Sequence, residues 1–298
     1  MLVFVLIRVV PGDPGRNALG PDASAEQVRA WNAAHGLDGA AVEQYLAWVG
    51  RFLTGDWGHS AIYGVPVRAL VLERATNSIA LAMLAFLLLV PIAVTIGVLQ
   101  ARREGSWADR GLTIALMTLT AVPEFVIGVL LLVVFALILP VFPIQSAVGA
   151  GDGFWSHVRA MVLPAFTLAL GSLAVVARTT RSSVSETMHS TFFRAAVIKG
   201  VRPGRLFRAH VARNSLIPPI SVLAVSFGTL IGGSAIVETL FGYPGIGELL
   251  VTATRRKDTA VLAAGTLLVG VVSLVTVMVA DVVFMRMDPR VRFRGVRG

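Results

Sequence analysis

ATNSIALAMLAFLLLVPIAVTIGVL, residues 75–99, runs for 25 residues without a charged side chain. As a helix it rises about 38 Å at ~1.5 Å per residue, more than the ~30 Å hydrocarbon thickness of a bilayer. The rest of the chain agrees with that reading. It has 298 residues, of which 55% are hydrophobic and only 14% charged, against about 25% charged in soluble domains. Its mean hydropathy is +0.77. Lipid is the solvent such a composition suits.

Working outward, four more apolar runs follow: Gly111–Leu139, Met161–Val176 with flanking extensions, Leu216–Val237 and Ala260–Met285. The sequence therefore predicts an all-α, polytopic transmembrane helix bundle, with a five-helix core over 75–285. Pro91, Gly97, Pro123 and Gly128 do not veto helix there, because neighbouring helices satisfy freed carbonyls and small residues permit close packing. Upstream, MLVFVLIRVV (1–10) is too short to span and ends at Pro11-Gly12. It lacks a basic leader and a small-x-small cleavage site. It reads as the remnant of a first transmembrane helix, with a native reading frame expected to extend about 15–25 residues upstream. Residues 11–74 are expected to form an extracytoplasmic segment with two short helices. DASAEQVRAWNAAHG (22–36) is capped by Asp22 or Ser24, and AAVEQYLAWVGRFL (40–53) carries apolar residues at helical spacing. GDWGHS (55–60) is a turn. Trp48, Trp57 and Tyr63 either anchor this segment at the interface or pack its helices together.

The basic residues orient the chain. Arg102, Arg103 and Arg110 lie after the first run. Seven Arg or Lys lie in 179–215, and Arg286, Arg290, Arg292, Arg294 and Arg297 follow the last run. Alternating spans put all three groups on one side, the cytoplasm, leaving a cytoplasmic basic tail at 286–298. The contrary cluster Arg255-Arg256-Lys257 is diluted by Glu238, Glu248 and Asp258. The net charge of +9 does not indicate nucleic acid, because the polar part is divided among apolar runs. The absence of cysteine excludes disulfides and thiolate metal sites. The five histidines are scattered and no HExxH occurs, so no metal site is expected. No GxxxxGK[ST] loop is present, so the chain carries no ATPase of its own, and no Ser-His-Asp order with a nucleophile elbow appears.

FRAAVIKGVRPGRLFRAHVARNSLIPP (193–219) lies between two apolar runs. Residues 178–200 read as a helix descending from a span and closed at Gly200 in a left-handed conformation, with Lys199 favourable to the dipole. Val201-Arg202-Pro203-Gly204 is a turn, and 205–217 a second helix. A positive-inside loop accounts for the charge. It does not account for two apolar-faced helices around a fixed turn, as a docking element does. Val201, Leu206 and Phe207 would fill a partner's groove, with Arg202, Arg205 and Arg208 around them.

Two further places stand out. Glu124, beside Pro123 in AVPEFVIG, is an acid inside an apolar run and a functional candidate by default. Lining a translocation path, contacting a partner subunit and hydrogen bonding at the Pro123 break all remain open. Asp281, near the end of the last run, reads as interfacial or ion-paired. FGYPGIG brings Phe241, Gly242, Pro244, Gly245 and Gly247 together as a re-entrant or interfacial element near an extracytoplasmic gate, or as a plain tight loop.

These residues carry a resemblance. Ala195, Ala196 and Gly200 match the Ala, Ala and Gly of the cytoplasmic Glu-Ala-Ala…Gly loop of bacterial ABC importer permeases. Arg194 stands at the Glu position, and His210–Arg213 where Ile-x-Leu-Pro would be. Lys199-Gly200 and Arg213–Pro218 instead resemble the dipeptide/oligopeptide/nickel branch. Leu6–Pro14, Gly55–Leu81, Glu238–Leu250 and Met287–Arg292 are similar to that branch as well. The resemblance implies a type I ABC importer permease fold whose 179–215 loop is a helix-turn-helix coupling element. It also implies a second homologous permease subunit, two cytoplasmic ATPase subunits that carry ATP and Mg, and an extracytoplasmic substrate-binding protein. The chain itself would bind no cofactor, perform no chemistry and reside in the inner membrane. Peptides are the expected solute, with nickel chelates the alternative inside the family. An ion-coupled secondary transporter, expected to show inverted repeats, and a membrane scaffold are the rivals outside it.

Overall fold

The computed structural model describes residues 14–20, 22–34, 41–147, 151, 153–201 and 215–287, and among these the ordered elements are helices. In chain order they are α1 (Pro14–Leu19), α2 (Ala25–Ala34), α3 (Ala41–Leu53), α4 (Val67–Arg102), α5 (Trp107–Ala121), α6 (Glu124–Leu132, continued by a π turn Val133–Ile138), α7 (Phe154–His189), α8 (Thr191–Ile198), α9 (Ile217–Gly232), α10 (Ala235–Phe241), α11 (Ile246–Arg256) and α12 (Thr259–Met287). Three are long and apolar enough to cross a membrane: α4, α7 and α12. The count is five if the bent pairs α5/α6 and α9/α10 each cross as one. Leu87, Ile114, Ile138 and Leu274 expose their apolar side chains. Water would not tolerate so many, and lipid does.

The chain divides into two compact units. The first comprises Met1–Ile79 and Pro244–Val272. Its core joins Val67, Val71 and Ala75 of α4, Ile246, Leu249 and Ala253 of α11, and Val261 and Ala264 of α12, with Phe52 and Trp57 packed against it. Tyr45, Trp48, Phe52 and Trp57 form a ladder of ring contacts, with Phe52 and Trp57 stacked at 4.6 Å. The two tryptophans therefore pack the segment together. Ser24, not Asp22, caps α2: it accepts from the Gln27 N–H and receives the Gln27 side chain on its own N–H, a capping box.

The second unit comprises Ala80–Tyr243 and Ser273–Gly298. Its centre is α7, which packs against α5, α6, α9 and α10 through buried small residues such as Ala165, Ala169, Ala174 and Ala177. Gly97 lets α4 meet α7 closely. A Cβ there would lie 2.5 Å from Thr180 Cβ and 2.6 Å from the Ala177 carbonyl oxygen, so only glycine fits that crossing.

The helices correct the sequence in four places. The run 111–139 is not one straight helix: α5 and α6 meet at 102°. Pro123 lacks an N–H and holds Val122 extended (φ −89°, ψ 128°), as the residue before a proline prefers. The short third run is part of a 36-residue helix. Residues 178–200 are two helices, because Ser190 (φ −63°, ψ 150°) ends α7 and caps α8 by accepting from Phe193 N–H. Glu238, which the sequence pattern groups with a polar loop, sits fully buried in α10.

Candidate functional site

The base of α7 carries the first candidate surface. α8 buries none of its residues, while Phe193 packs against the cluster of Val98, Ala101, Val184 and Met188. Val197 and Ile198 nevertheless remain exposed, the latter at 86%. An eight-residue helix has little stability of its own. It is held by its Ser190 cap, by Phe193 and by its C-terminal turn. That turn is a Schellman motif: Gly200 takes φ +75°, its N–H bonds the Val197 carbonyl at 3.0 Å, and Val201 N–H bonds the Ala196 carbonyl at 3.2 Å. Arg194 and Ala195 are exposed on α8 and Ala196 half-buried. Arg202, Pro203, Gly204, Leu206 and Phe207 lie outside the described residues, as do Met1–Val10 and the tail after Met287.

Glu124 is the first residue of α6, with Pro123 as its N-cap. The helix N-terminus is a favourable place for a carboxylate. The group packs against Gly171 of α7, and its Oε1 is buried without a hydrogen-bond partner among the described residues. Gly171 lies 18 residues before His189 in the 36-residue α7, about 27 Å along the axis at ~1.5 Å per residue. Glu124 is thus at mid-depth of that helix, far from α8.

The Phe241–Gly247 stretch falls at the boundary of the two units. In the second unit, Phe241 is buried and its carbonyl accepts from Ser146 N–H at 2.8 Å. Gly242 takes φ +59°, and the α10 carbonyl of Glu238 accepts from Tyr243 N–H at 2.8 Å. The buried Glu238 side chain accepts from Ser234 Oγ–H at 2.7 Å. In the first unit, the Pro244 carbonyl accepts from Asn77 Nδ2 at 2.9 Å, Ile246 N–H bonds Ser78 Oγ at 2.8 Å, and Gly245 caps α11 ahead of the buried Gly247. Each half of the stretch is therefore hydrogen-bonded within its own unit. Gly242 ends one helix, Gly245 starts the next, and Phe241 fills the core beside the first.

Two buried polar assemblies escape a reading of the sequence. Asp258 caps α12 and accepts from Ser60 Oγ–H at 2.5 Å across 198 residues. Asp109 makes a two-point ion pair with Arg181, at 2.8 Å (Nε to Oδ1) and 2.7 Å (Nη2 to Oδ2). A capping pattern, Ser106-x-x-Asp109, is the only local signal for the latter. Long-range partners leave none.

Residues 93–293 match the family model of the binding-protein-dependent transport system inner membrane component. A probable peptide ABC transporter permease of Sinorhizobium fredii is 32% identical over 98% of this chain and 94% of its own length. An oligopeptide transport system permease of Bacillus subtilis is 31% identical over the same shares. A glutathione transport system permease of Salmonella paratyphi A is 32% identical over 99% and 94%. Among solved structures, the MetNI methionine ABC transporter in an inward-facing conformation superposes with a TM-score of 0.59 at 16% identity, covering 74% of this chain and 96% of that one. An amino acid ABC transporter gives 0.54 at 17% identity, over 73% and 94%. The helical bundle is thus the type I ABC importer permease fold, and a match this long in sequence and fold makes the chain a member of the inner membrane component family of binding-protein-dependent transport systems.

Proposed function

We propose that this chain is one of two permease subunits that form the translocation path of an ATP-driven peptide importer. The observation that carries this reading is α8: a capped helix at the foot of the central helix, with Val197 and Ile198 turned outward. An apolar surface of that kind is completed by a partner. The partners are two cytoplasmic ATPase subunits, which hold ATP and Mg, with α8 and the 201–215 segment seated in a groove of one of them. A second homologous permease and an extracytoplasmic binding protein complete the importer. This chain holds no cofactor, and hydrolysis occurs on the ATPases. Their closure moves the α7–α8 base and opens the path outward. The peptide assignment is supported by what the three relatives are named for transporting. The C-terminus and residues 179–215 are assigned to the cytoplasm by the basic-residue bias. Because the chain lacks cysteine, Arg205→Cys gives a clean check: a membrane-impermeant thiol reagent leaves it unlabelled in intact cells and labels it after lysis. Labelling in intact cells reverses the orientation.

The test of function is uptake into vesicles that contain the two permeases and the ATPases, with binding protein and labelled peptide outside. Uptake requires ATP enclosed in the vesicles, on the side of the ATPases, and an ion gradient alone drives none. Gradient-driven uptake without ATP would make the chain a secondary transporter.

Glu124 is assigned to the path, with Pro123 setting its position at the break. Its carboxylate oxygen, buried at mid-depth and unpaired among the described residues, suits the free amino group of a peptide. A hydrogen bond to a charged group contributes about 1.5–3 kcal/mol, so Glu124→Gln lowers uptake of a free-amino peptide about tenfold and that of its N-acetylated form much less. Equal loss for both peptides, or failure of the two permeases to assemble, assigns Glu124 to the subunit interface instead.

A further inference from the structure

The α4–α5 turn is built to stay attached to α7. α4 ends at Arg102, and Gly105 takes φ +77°. Ser106 then starts α5 by accepting from Asp109 N–H, while the Asp109 carboxylate accepts from Gly105 N–H at 3.1 Å. Gln100, buried at the end of α4, donates to Thr113 Oγ1 at 3.0 Å, and that hydroxyl donates to the Asp109 carbonyl at 2.8 Å. The turn is therefore internally fixed, with Asp109 at its centre and only 4% of that side chain exposed. Arg181 of α7 meets this carboxylate with both prongs of its fork, the strongest and most directional ion-pair geometry available to a side chain. One turn further down α7, Ser185 Oγ–H donates to Glu104 Oε2 at 2.6 Å, and His189 Nδ1 lies 3.9 Å from the same oxygen. Ala101, Val98, Val184, Met188 and Phe193 pack beneath. Phe193 belongs to α8.

We propose that the Asp109–Arg181 pair is a positioning device for energy coupling: it bolts the α4–α5 turn to α7, so that displacement of α8 moves the ends of α4, α5 and α7 as one body. This rests on the reading that α8 receives the ATPase stroke. The reason lies in the chain path. α8 is joined to α7 covalently, whereas among the described residues it meets α4 through the apolar packing of Phe193. Apolar contact between helices in a membrane resists sliding weakly, since lipid offers the same contacts. A two-point ion pair across the same joint fixes both angle and register. Without it, the joint is left with the exposed Ser185–Glu104 hydrogen bond and apolar packing, so α7 tilts more freely and most of the stroke is lost before α5 and α6 move.

The test uses the assembled complex of two permeases and two ATPases in vesicles with binding protein. Asp109→Asn combined with Arg181→Met removes both charges without stranding either, and the carboxamide oxygen so introduced still accepts from Gly105 N–H. Basal ATP hydrolysis persists, while solute moved per ATP falls about tenfold, within the usual range of coupling between sites. Arg181→Lys, which keeps the charge and loses the fork, falls between. It carries the test if the double variant does not assemble. Cysteines at Glu104 and Ser185, joined by a short bifunctional reagent after purification, restore the ratio in either background. Rescue after assembly is a result that a role in folding alone does not give. A normal transport-to-hydrolysis ratio in both variants, or a ratio that cross-linking leaves low, overturns the proposal. A wild-type complex that moves nothing with ATP refutes instead the importer reading on which the proposal rests.

Discussion

Gly200→Val separates this permease from its ATPases. Gly200 takes φ +75° in the Schellman turn that ends α8, and among the described residues nothing lies within 4 Å of the place its Cβ would occupy. The substitution therefore meets no clash with them. Its cost is conformational: a side chain in the left-handed region is penalised by about 1–2 kcal/mol, and a β-branched one finds that region least accessible. The turn escapes the penalty by abandoning the two hydrogen bonds that close α8, which re-aims every residue after it. Those residues include Val201, Leu206 and Phe207, assigned to the ATPase groove. Losing one central apolar contact of an interface can weaken it by about 2 kcal/mol or more, about thirtyfold in affinity, and misdirecting the segment loses several at once. The expected outcome is a variant that reaches the membrane and pairs with its partner permease, yet retains little ATPase on purification and shows no solute-stimulated hydrolysis. Gly200→Asn separates geometry from space, because asparagine tolerates the left-handed region. It keeps most of the ATPase if the turn's shape is what matters. Phe207→Ala repeats the loss, and Arg202→Gln has a small effect, since exposed charges at an interface rim are screened at physiological salt. Full ATPase retention and normal transport in Gly200→Val and Phe207→Ala would reduce this loop to a topogenic signal.

What can be read from the sequence follows a physical division. Membrane helices announce themselves because lipid demands long uncharged runs, and 75–99 and 260–285 are legible for that reason alone. Caps are legible for a similar reason: a short polar side chain or a glycine at a helix end acts on its own neighbours, as Ser24 and Gly200 do. Bends are half legible. Pro123 marks a break in the chain, but its 102° angle depends on what α6 packs against, which no local pattern records. The end of α7 at Ser190 is hidden because the helical pattern continues through it, and only the hydroxyl accepting from Phe193 N–H divides the helices. Buried acids are the least legible. In the sequence Glu238 and Asp258 are charges to be counted, and Asp109 shows no more than its spacing from Ser106. In the fold each is buried against a partner hydroxyl or guanidinium. Two of those partners, 72 and 198 residues distant, leave no trace in local composition. For Glu124 the sequence supplies the residue and the fold supplies its circumstance, a carboxylate at a helix N-terminus with one oxygen unpaired among the described residues.

The buried Ser60–Asp258 contact leads to the other large effect. Asp258 starts α12, accepting from Val261 N–H at 3.2 Å through Oδ1, while Oδ2 accepts from Ser60 Oγ–H at 2.5 Å and more weakly from Ile62 N–H at 3.4 Å. Ser60 Oγ in turn accepts from Tyr63 N–H at 3.0 Å. One carboxylate therefore caps a membrane helix and pins the turn between α3 and α4. Asp258→Ala removes the cap, worth about 0.5–2 kcal/mol, and leaves buried donors without acceptors at about 1–3 kcal/mol each. Ser60→Ala loses only one hydroxyl, and the double substitution costs little more than Asp258→Ala alone, because the two side chains act as a unit. Asp258→Asn keeps the cap through its carbonyl oxygen but replaces the acceptor of Ser60 Oγ–H and Ile62 N–H with a donor, so it lies between wild type and Asp258→Ala. Thermal denaturation of the purified protein in detergent measures the order, and limited proteolysis measures the place: new cleavage between Gly58 and Pro66 accompanies Asp258→Ala. An unchanged melting temperature and an unchanged digest would mean that the α11–α12 corner and the apolar core of Val67, Val71, Leu249 and Val261 hold this turn without the carboxylate.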